Sequence, residues 1–393
     1  MVNKSVRLTL ALAVLTGALS AAPGAAADSG RKTTTTAWAE RAEVSYDSLQ
    51  EHLYQGPQEN GLYLEKTPRT EEENPYSYLW PMREAAAATI DLSELPGVGD
   101  HYQQDVAERL TSMRLYFNPR DGRPGYDSYL PAPYGHGGDV FYDDNAIVGL
   151  THLDRYRSTG ESIHLTRAAE TYRIVTRGWD TDPAKPCAGG MHWVDSPDNY
   201  MRAANVTGLS AQLAAELYAV DRDEKYLADA KKWYEWNWSC LRGAPGLYDN
   251  SLDDDGTTNK TLWTYNAGAM IGTATTLYRV TGDRTYLDRA VEDANTSLTY
   301  WKQGDRLYDQ PAIFNAFYFD NLRILNEVRP DRAYRETAVA YAEEVWKKNR
   351  TSADGLFRFQ PSGGGDHAPD AQAETLHQSA MIQIFAGLAT DAS

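Results

Sequence analysis

Asp143 and Asp144 stand side by side in the run Gly135-His136-Gly137-Gly138-Asp139-Val140-Phe141-Tyr142-Asp143-Asp144-Asn145, where a glycine-rich approach and two aromatic rings lead into paired acids. Adjacent carboxylates repel one another, and partial burial helps to split their ionisations, so that one is charged while the other keeps its proton. Hydrolysis of a glycosidic bond needs that division: an ionised oxygen at the anomeric carbon and a proton for the departing oxygen. The pair also has a plainer use, with Asp143 capping a helix and Asp144 complementing its dipole. Successive helical side chains diverge. Both acids reach one cleft more easily if a junction residue with non-helical dihedrals opens the helix.

Comparable polar and aromatic groups open other expected helices. Asn205 follows Met191-His192-Trp193-Val194-Asp195, the run Trp263-Thr264-Tyr265-Asn266 stands before another helix, and Asn315 follows Pro311-Ala312-Ile313-Phe314. Sugars offer apolar ring faces and hydroxyl edges, which flat side chains, amides and carboxylates suit. Tyr142, Trp193, Asn205, Trp263, Tyr265 and Asn266 are therefore candidate sugar contacts, and Asp249 in Gly246-Leu247-Tyr248-Asp249-Asn250 is a candidate partner for a hydroxyl. Each tryptophan alone would suit a core; their recurrence at equivalent places argues for a cleft. Asp253-Asp254-Asp255-Gly256 looks like part of a calcium loop, but a full EF-hand would put Leu262 where its bidentate Glu belongs. No HExxH, GxSxG or phosphate-cradling loop is present. No metal and no cofactor are expected.

The elements that carry these residues come from an internal repeat. Asn145 and His164, Asn205 and Tyr226, Asn266 and Tyr286, and Asn315 and Tyr334 mark four units in which a helix start is followed about twenty residues later by an aromatic opening a second helix. The turns within the units, such as Asp221-Arg222-Asp223 and Thr281-Gly282-Asp283, end in an acid suited to capping: Glu161, Asp223, Asp283 and Asp331. Longer Gly- and Asp-rich loops at 178–202, 239–262, 302–312 and 350–372 separate the units. Adding helices at 32–53, 81–92, 99–115 and 374–389 gives twelve. The expectation is an all-α chain, an (α/α)6 barrel of six helical hairpins, with an open α-solenoid as the alternative. Long loops then collect at one end, which becomes the functional face. Strand alternation is nowhere sustained, so the loops read as irregular.

The chain has 393 residues, 42% of them hydrophobic, and 55 acidic against 38 basic residues for a net charge of −17. That charge argues against nucleic acid or an anionic membrane surface as a partner. Lys4 and Arg7, the apolar run Leu8 to Leu19 and the small residues Ala25 to Ala27 read as a secretory signal over 1–27, leaving a single catalytic domain over 28–393. A secreted, extracellular protein is expected, a monomer without membrane insertion, in which Cys187 and Cys240 pair.

Phe-Tyr-Asp-Asp-Asn at 141–145, Trp-Thr-Tyr-Asn-Ala-Gly at 263–268 and Leu-Tyr-Arg-Val-Thr-Gly-Asp at 277–283 closely resemble glycoside hydrolase family 76, the endo-α-1,6-mannanases. The similarity runs from about residue 32 to the end of the chain. It implies an (α/α)6 barrel, no metal, and retaining cleavage of α-1,6-linked mannose polymers, with Asp143 as nucleophile and Asp144 as acid/base. It also implies Trp263, Tyr265 and Asn266 in the cleft. This sequence departs from the family at Ile147 and Val148, where tryptophans are frequent, and at Met191-His192-Trp193, where a Trp-Trp pair is frequent. Two other readings are a transglycosidase using the same carboxylates and a non-catalytic polysaccharide-binding protein on the same barrel.

Overall fold

The computed structural model describes residues 24–390. Of the secretory signal expected over 1–27, residues 1–23 lie outside them. Among the described residues twelve α-helices carry the architecture: α1 (Gly24–His52), α2 (Leu79–Ser93), α3 (Gln103–Arg114), α4 (Tyr142–Thr159), α5 (Ser162–Val175), α6 (Ala204–Asp221), α7 (Glu224–Cys240), α8 (Thr264–Thr281), α9 (Arg284–Trp301), α10 (Ala312–Asn326), α11 (Arg332–Lys348) and α12 (Thr375–Thr390).

The even-numbered helices form the inner ring. Each packs on the next, and α12 returns to α2, so the ring is closed and not an open solenoid. Helices α3, α5, α7, α9 and α11 lie outside, each against the inner helix before it, while α1 packs on α12. Five hairpins are thus contiguous in sequence, and the sixth is assembled from the first and last helices.

Composition sorts the two rings. Inner α6 is buried from Ala204 through Leu217 on every side, which is affordable because most of its side chains are small or aliphatic. Close crossing also needs missing side chains: a Cβ on Gly268 would come 2.9 Å from the Tyr318 backbone on α10, and one on Gly272 would overlap Asn321. Outer α9 instead buries one stripe, Tyr286, Leu287, Ala290, Asp293, Ala294, Ser297, Leu298 and Trp301, at the spacing of a single helical face. Three of the expected caps form. Asp223, Asp283 and Asp331 each accept the backbone N–H two residues ahead at 2.9 Å. Glu161 makes no cap, since its longer side chain turns to His164 at 3.3 Å.

The loops at 178–202 and 239–262 are not irregular throughout. Leu247–Asp253 is the centre of an antiparallel sheet that pairs with Met201–Ala203, Arg242–Ala244 and Thr258–Leu262. Polar residues on both faces and a register shift between Asp249 and Ser251 erase the alternation that would have announced it. Asp293 on α9 anchors the sheet by accepting from the Tyr248 hydroxyl (2.5 Å), Arg242 Nη2 (2.7 Å) and the Gly246 N–H (2.7 Å). Cys187 and Cys240 are bonded, as expected, with Cα atoms 6.2 Å apart. Sheet and disulfide together fix the loops that enter α6 and α8.

Candidate active site

All six inner helices begin at the long-loop end. Their N-termini concentrate partial positive charge there, a setting that favours carboxylates. Helix α4 starts at Tyr142, one residue before the acids, with Phe141 as its extended cap. Neither acid is the cap: the non-helical residue is Phe141, ahead of both, and Asp143 and Asp144 stand one helical step apart within the first turn, so no junction residue between them turns both toward one side. Asn145 fixes this start: its amide accepts from the Tyr126 N–H (3.0 Å) and donates to the carbonyls of Tyr126 (3.1 Å) and Phe141 (2.8 Å). The Tyr142 N–H donates to the Trp193 carbonyl (2.9 Å) and the Asp195 N–H to the Val140 carbonyl (2.9 Å), which pins the loop ahead of α6 against the start of α4.

That pinning brings two neutral donors to one acid. Asp143 Oδ2 accepts from Trp193 Nε1 at 3.0 Å and from Asn205 Nδ2 at 2.7 Å, while its Oδ1 accepts the Asp144 N–H at 3.1 Å. No hydrogen bond reaches the Asp144 carboxyl from the described residues. Burial pushes both acids above the ordinary carboxylate range. For Asp143 the donors of Trp193, Asp144 and Asn205 oppose the rise. For Asp144 the negative charges of Asp143 and then Glu84 add to it. Asp143 is therefore the first of the pair to ionise, and Asp144 is the one that holds a proton.

An aromatic wall crosses the barrel mouth. Tyr265 on α8 stacks on Phe314 of α10 with ring centroids 3.9 Å apart and planes 3° from parallel; Trp263 meets Phe314 edge-on at 5.3 Å, and the Trp80 ring of α2 lies 6.0 Å from it at 19°. The Tyr265 phenol is held well above its ordinary range by burial and by the charge of Asp143, which places it beside the acid pair.

Residues 37–392 match glycosyl hydrolase family 76. The chain belongs to that family. Among curated relatives it is 28% identical over 178 residues to the mannan endo-1,6-alpha-mannosidase DCW1 of Saccharomyces cerevisiae, an alignment covering 41% of this chain and 39% of the yeast protein. The match therefore spans about two fifths of that relative's length. Among solved structures, the family 76 mannosidase Bt3792 of Bacteroides thetaiotaomicron superposes with a TM-score of 0.79 at 23% identity, over 90% of this chain and 98% of that one. An inactive variant of the α-1,6-mannanase GH76A of Salegentibacter, with two consecutive aspartates changed to asparagine and α-1,6-mannotriose bound, superposes with a TM-score of 0.71 at 23% identity, over 90% and 99% of the chains. These likenesses establish the (α/α)6 barrel.

Within the family fold, the candidate residues divide. Trp193 and Asn205 touch Asp143 directly, and Tyr265 and Trp263 form the wall. Tyr142 does not join them: only 2% of it is exposed. Its ring lies so near Gly178 that a Cβ there would come 2.8 Å from Cδ2. One helical step of roughly 100° separates residue 142 from the acid after it, and it carries this side chain into the core. Asn266 is fully buried in the first turn of α8, and no described residue hydrogen bonds its amide. Asp249 sits on the sheet near Gly243 and Lys260.

Sequence reasoning left out Phe314, Trp80 and Glu84. Phe314 was legible: it precedes Asn315 as Tyr265 precedes Asn266. Trp80 and Glu84 are an i, i+4 pair opening α2, and the Trp80 Nε1 donates to Glu84 Oε1 at 2.9 Å.

A cavity of about 580 Å³ lies at the other end of the barrel, lined by Asp91, Asp154, Arg157, Glu216, Asp320 and Arg323 among others. Three of these acids pair with guanidinium groups, Asp154 (3.1 Å) and Glu216 with Arg157 and Asp320 with Arg323 (2.7 Å), whereas Asp91 makes no ion pair among the described residues. Among the described residues the adjacent acid pair without a guanidinium partner lies at the loop end, beside Tyr265, Trp263 and Phe314, and the candidate cleft is placed there.

Proposed function

We propose that this family 76 chain is an exported endo-α-1,6-mannosidase that cleaves mannan-type polysaccharide with retention of configuration, using Asp143 as nucleophile and Asp144 as acid and then base. One observation carries the assignment of roles: three donors converge on Asp143 and none on Asp144. The names of the yeast relative and of the Salegentibacter mannanase, the latter carrying α-1,6-mannotriose, supply the substrate class.

In the first step an Asp143 oxygen forms a bond to the anomeric carbon as the glycosidic oxygen leaves with the Asp144 proton. Water then attacks that carbon, gives its proton to the Asp144 carboxylate, and releases Asp143. The donors from Trp193 and Asn205 favour the charged Asp143 of the resting enzyme and of the second transition state.

The test is incubation of the mature protein with linear α-1,6-mannan, with identification of the products and their initial anomeric form. Internal cleavage to α-configured oligomannosides is expected. β-Configured first products would overturn retention, and products longer than the starting oligosaccharide would redirect the reading to transfer onto a sugar acceptor. Export is checked by the N-terminus of protein recovered from culture medium.

A further inference from the structure

We infer that Asn199 is a positioning residue for the nucleophile: its side-chain amide fixes the main chain of Trp193 and thereby aims the indole N–H that Asp143 accepts. The inference rests on the reading of Asp143 as the acid that must be ionised.

Trp193 Nε1 donates to Asp143 Oδ2 at 3.0 Å, yet 38% of Trp193 is exposed. Its ring leans on Phe141, with centroids 4.8 Å apart and planes at 53°. A ring so open to solvent has few buried contacts to hold it, and its aim depends on the main chain beneath it.

That main chain is tied on both sides. The Trp193 carbonyl accepts the N–H of Tyr142, the residue before Asp143, at 2.9 Å. The Trp193 N–H donates to Asn199 Oδ1 at 3.1 Å, the Val194 N–H reaches the same oxygen at 3.4 Å, and Asn199 Nδ2 donates to the Met201 carbonyl at 2.8 Å. Up to His192 the chain still pairs with backbone: the Met191 carbonyl accepts the Ala203 N–H (3.1 Å), and the His192 N–H donates to the Gly178 carbonyl (2.8 Å). At Trp193 that pairing gives way to a side chain. The Asn199 amide is planar and carries both the donor and the acceptor of a peptide unit, so it stands in for the next backbone partner. Met201 pairs with Asp253 of the central strand, and Asn199 thus refers the indole to the sheet. The turn Ser196-Pro197-Asp198 places Asn199 in turn, through its N–H to the Ser196 carbonyl (3.2 Å) and the Ser196 N–H to the Val194 carbonyl (2.9 Å).

Few charges compete with this effect at Asp143. It faces Asp144 on α4 itself, the neutral Asn205 of α6 and the Tyr265 phenol of α8. Glu84 of α2 is paired with Arg83 at 2.8 Å, and Asp195, on the same loop as Trp193, is paired with Arg123 and Arg177. Without the Asn199 amide the Trp193 N–H loses its acceptor and the indole samples other directions. The charged form of Asp143 then loses part of a donor, and its proton affinity rises.

The experiment is the pH profile of kcat/KM on linear α-1,6-mannan for Asn199→Ala, Trp193→Phe and the double variant, with folding checked by circular dichroism. Asn199→Ala is expected to move the ascending acid limb up by about half a pH unit, a threefold loss on that limb, with the alkaline limb in place. The double variant is expected to keep the limb where Trp193→Phe alone puts it, because Asn199 acts through the indole. Asn199→Ser, whose shorter arm cannot span from Met201 to Trp193, is expected to behave as Asn199→Ala and serves if that variant fails to fold. A merely structural role would lower the melting temperature or the rate at every pH and leave the limb unmoved. If Trp193→Phe moves the limb and a folded Asn199 variant does not, or if the two shifts add in the double variant, the inference is overturned while Asp143 keeps its role. An acid limb unmoved even by Trp193→Phe would fail the reading of Asp143 and the inference with it.

Discussion

Both ends of the barrel hold acids whose ionisation is pushed upward, yet the groups around them differ. At the short-turn end Asp154 is pushed up to about 7 by burial while Arg157 pulls the other way. Asp91 is raised as well, chiefly by burial. At the loop end Asp143 and Asp144 are raised for the same first cause. A perturbed carboxylate therefore does not mark the site by itself. The partners do: guanidinium groups pair with Asp154, Glu216 and Asp320 at one end, whereas at the other an indole, an amide and a backbone N–H favour one acid of an adjacent pair and leave its neighbour alone.

Neutralising the acids in turn gives the sharpest contrast. Asp143→Asn and Asp144→Asn are each expected to cost 10³-fold or more in kcat on mannan, a size typical of losing a nucleophile or proton donor. Asp154→Asn at the other end should stay within about twofold, since its contacts serve packing. Steady-state rates on one mannan preparation check all three, and comparable losses at both ends would dissolve the distinction. Restoration of the Asp144→Asn rate by an activated aryl leaving group sharpens the roles.

Removing one neutral donor should have a smaller, directional effect. Trp193→Phe leaves Asp143 with fewer hydrogen bonds to its charged form, so its proton affinity rises and the ascending acid limb of the pH profile moves to higher pH. A fall in kcat of roughly tenfold matches one hydrogen bond to a charged group. An acid limb that stays in place would detach Trp193 from the ionisation of Asp143.

The matching change at the far end, Arg157→Met, strands Glu216 and Asp154 and is expected to cost about 1–3 kcal/mol of stability with kcat/KM near that of the parent. Denaturant titration beside the activity assay reads both.

The smallest effect is a gain. The Asp144 carboxyl ionises at higher pH in the folded chain than in the unfolded one, so its contribution to stability falls as pH rises above the ordinary carboxylate value through the raised one. Asp144→Asn should consequently melt higher than the parent at pH 7, by roughly 2–4 °C, with the difference closing toward pH 4. A lower melting temperature at pH 7 would contradict the raised ionisation.

What could be read from the sequence was what neighbours in the chain decide. The turn acids Asp223, Asp283 and Asp331 act within two residues of themselves, so the hairpins were legible, and the Asp143-Asp144 pair declares its chemistry by adjacency. The sheet around Leu247–Asp253 was hidden because its faces do not alternate and its register shifts, even though two of its three partners, Arg242–Ala244 and Thr258–Leu262, are neighbours in sequence. Glu84 was hidden because Arg83-Glu84 reads as a solvated charge pair until Gln383, almost three hundred residues away, closes over it. Adjacency to an acid says nothing about the direction of the next helical side chain, and the Tyr142 ring lies against Gly178.

The pairing of α1 with α12 has a consequence in time. A chain made from its N-terminus produces α1 first and its packing partner last, so Trp38, whose ring stacks on Phe385 of α12, lacks that cover while five hairpins are synthesised. Contacts of such long sequence separation are slow to form. Closure of the ring is thus the final event of assembly, and a ribosome that stops before Thr375 releases a barrel with one stave absent and its earliest helix still exposed.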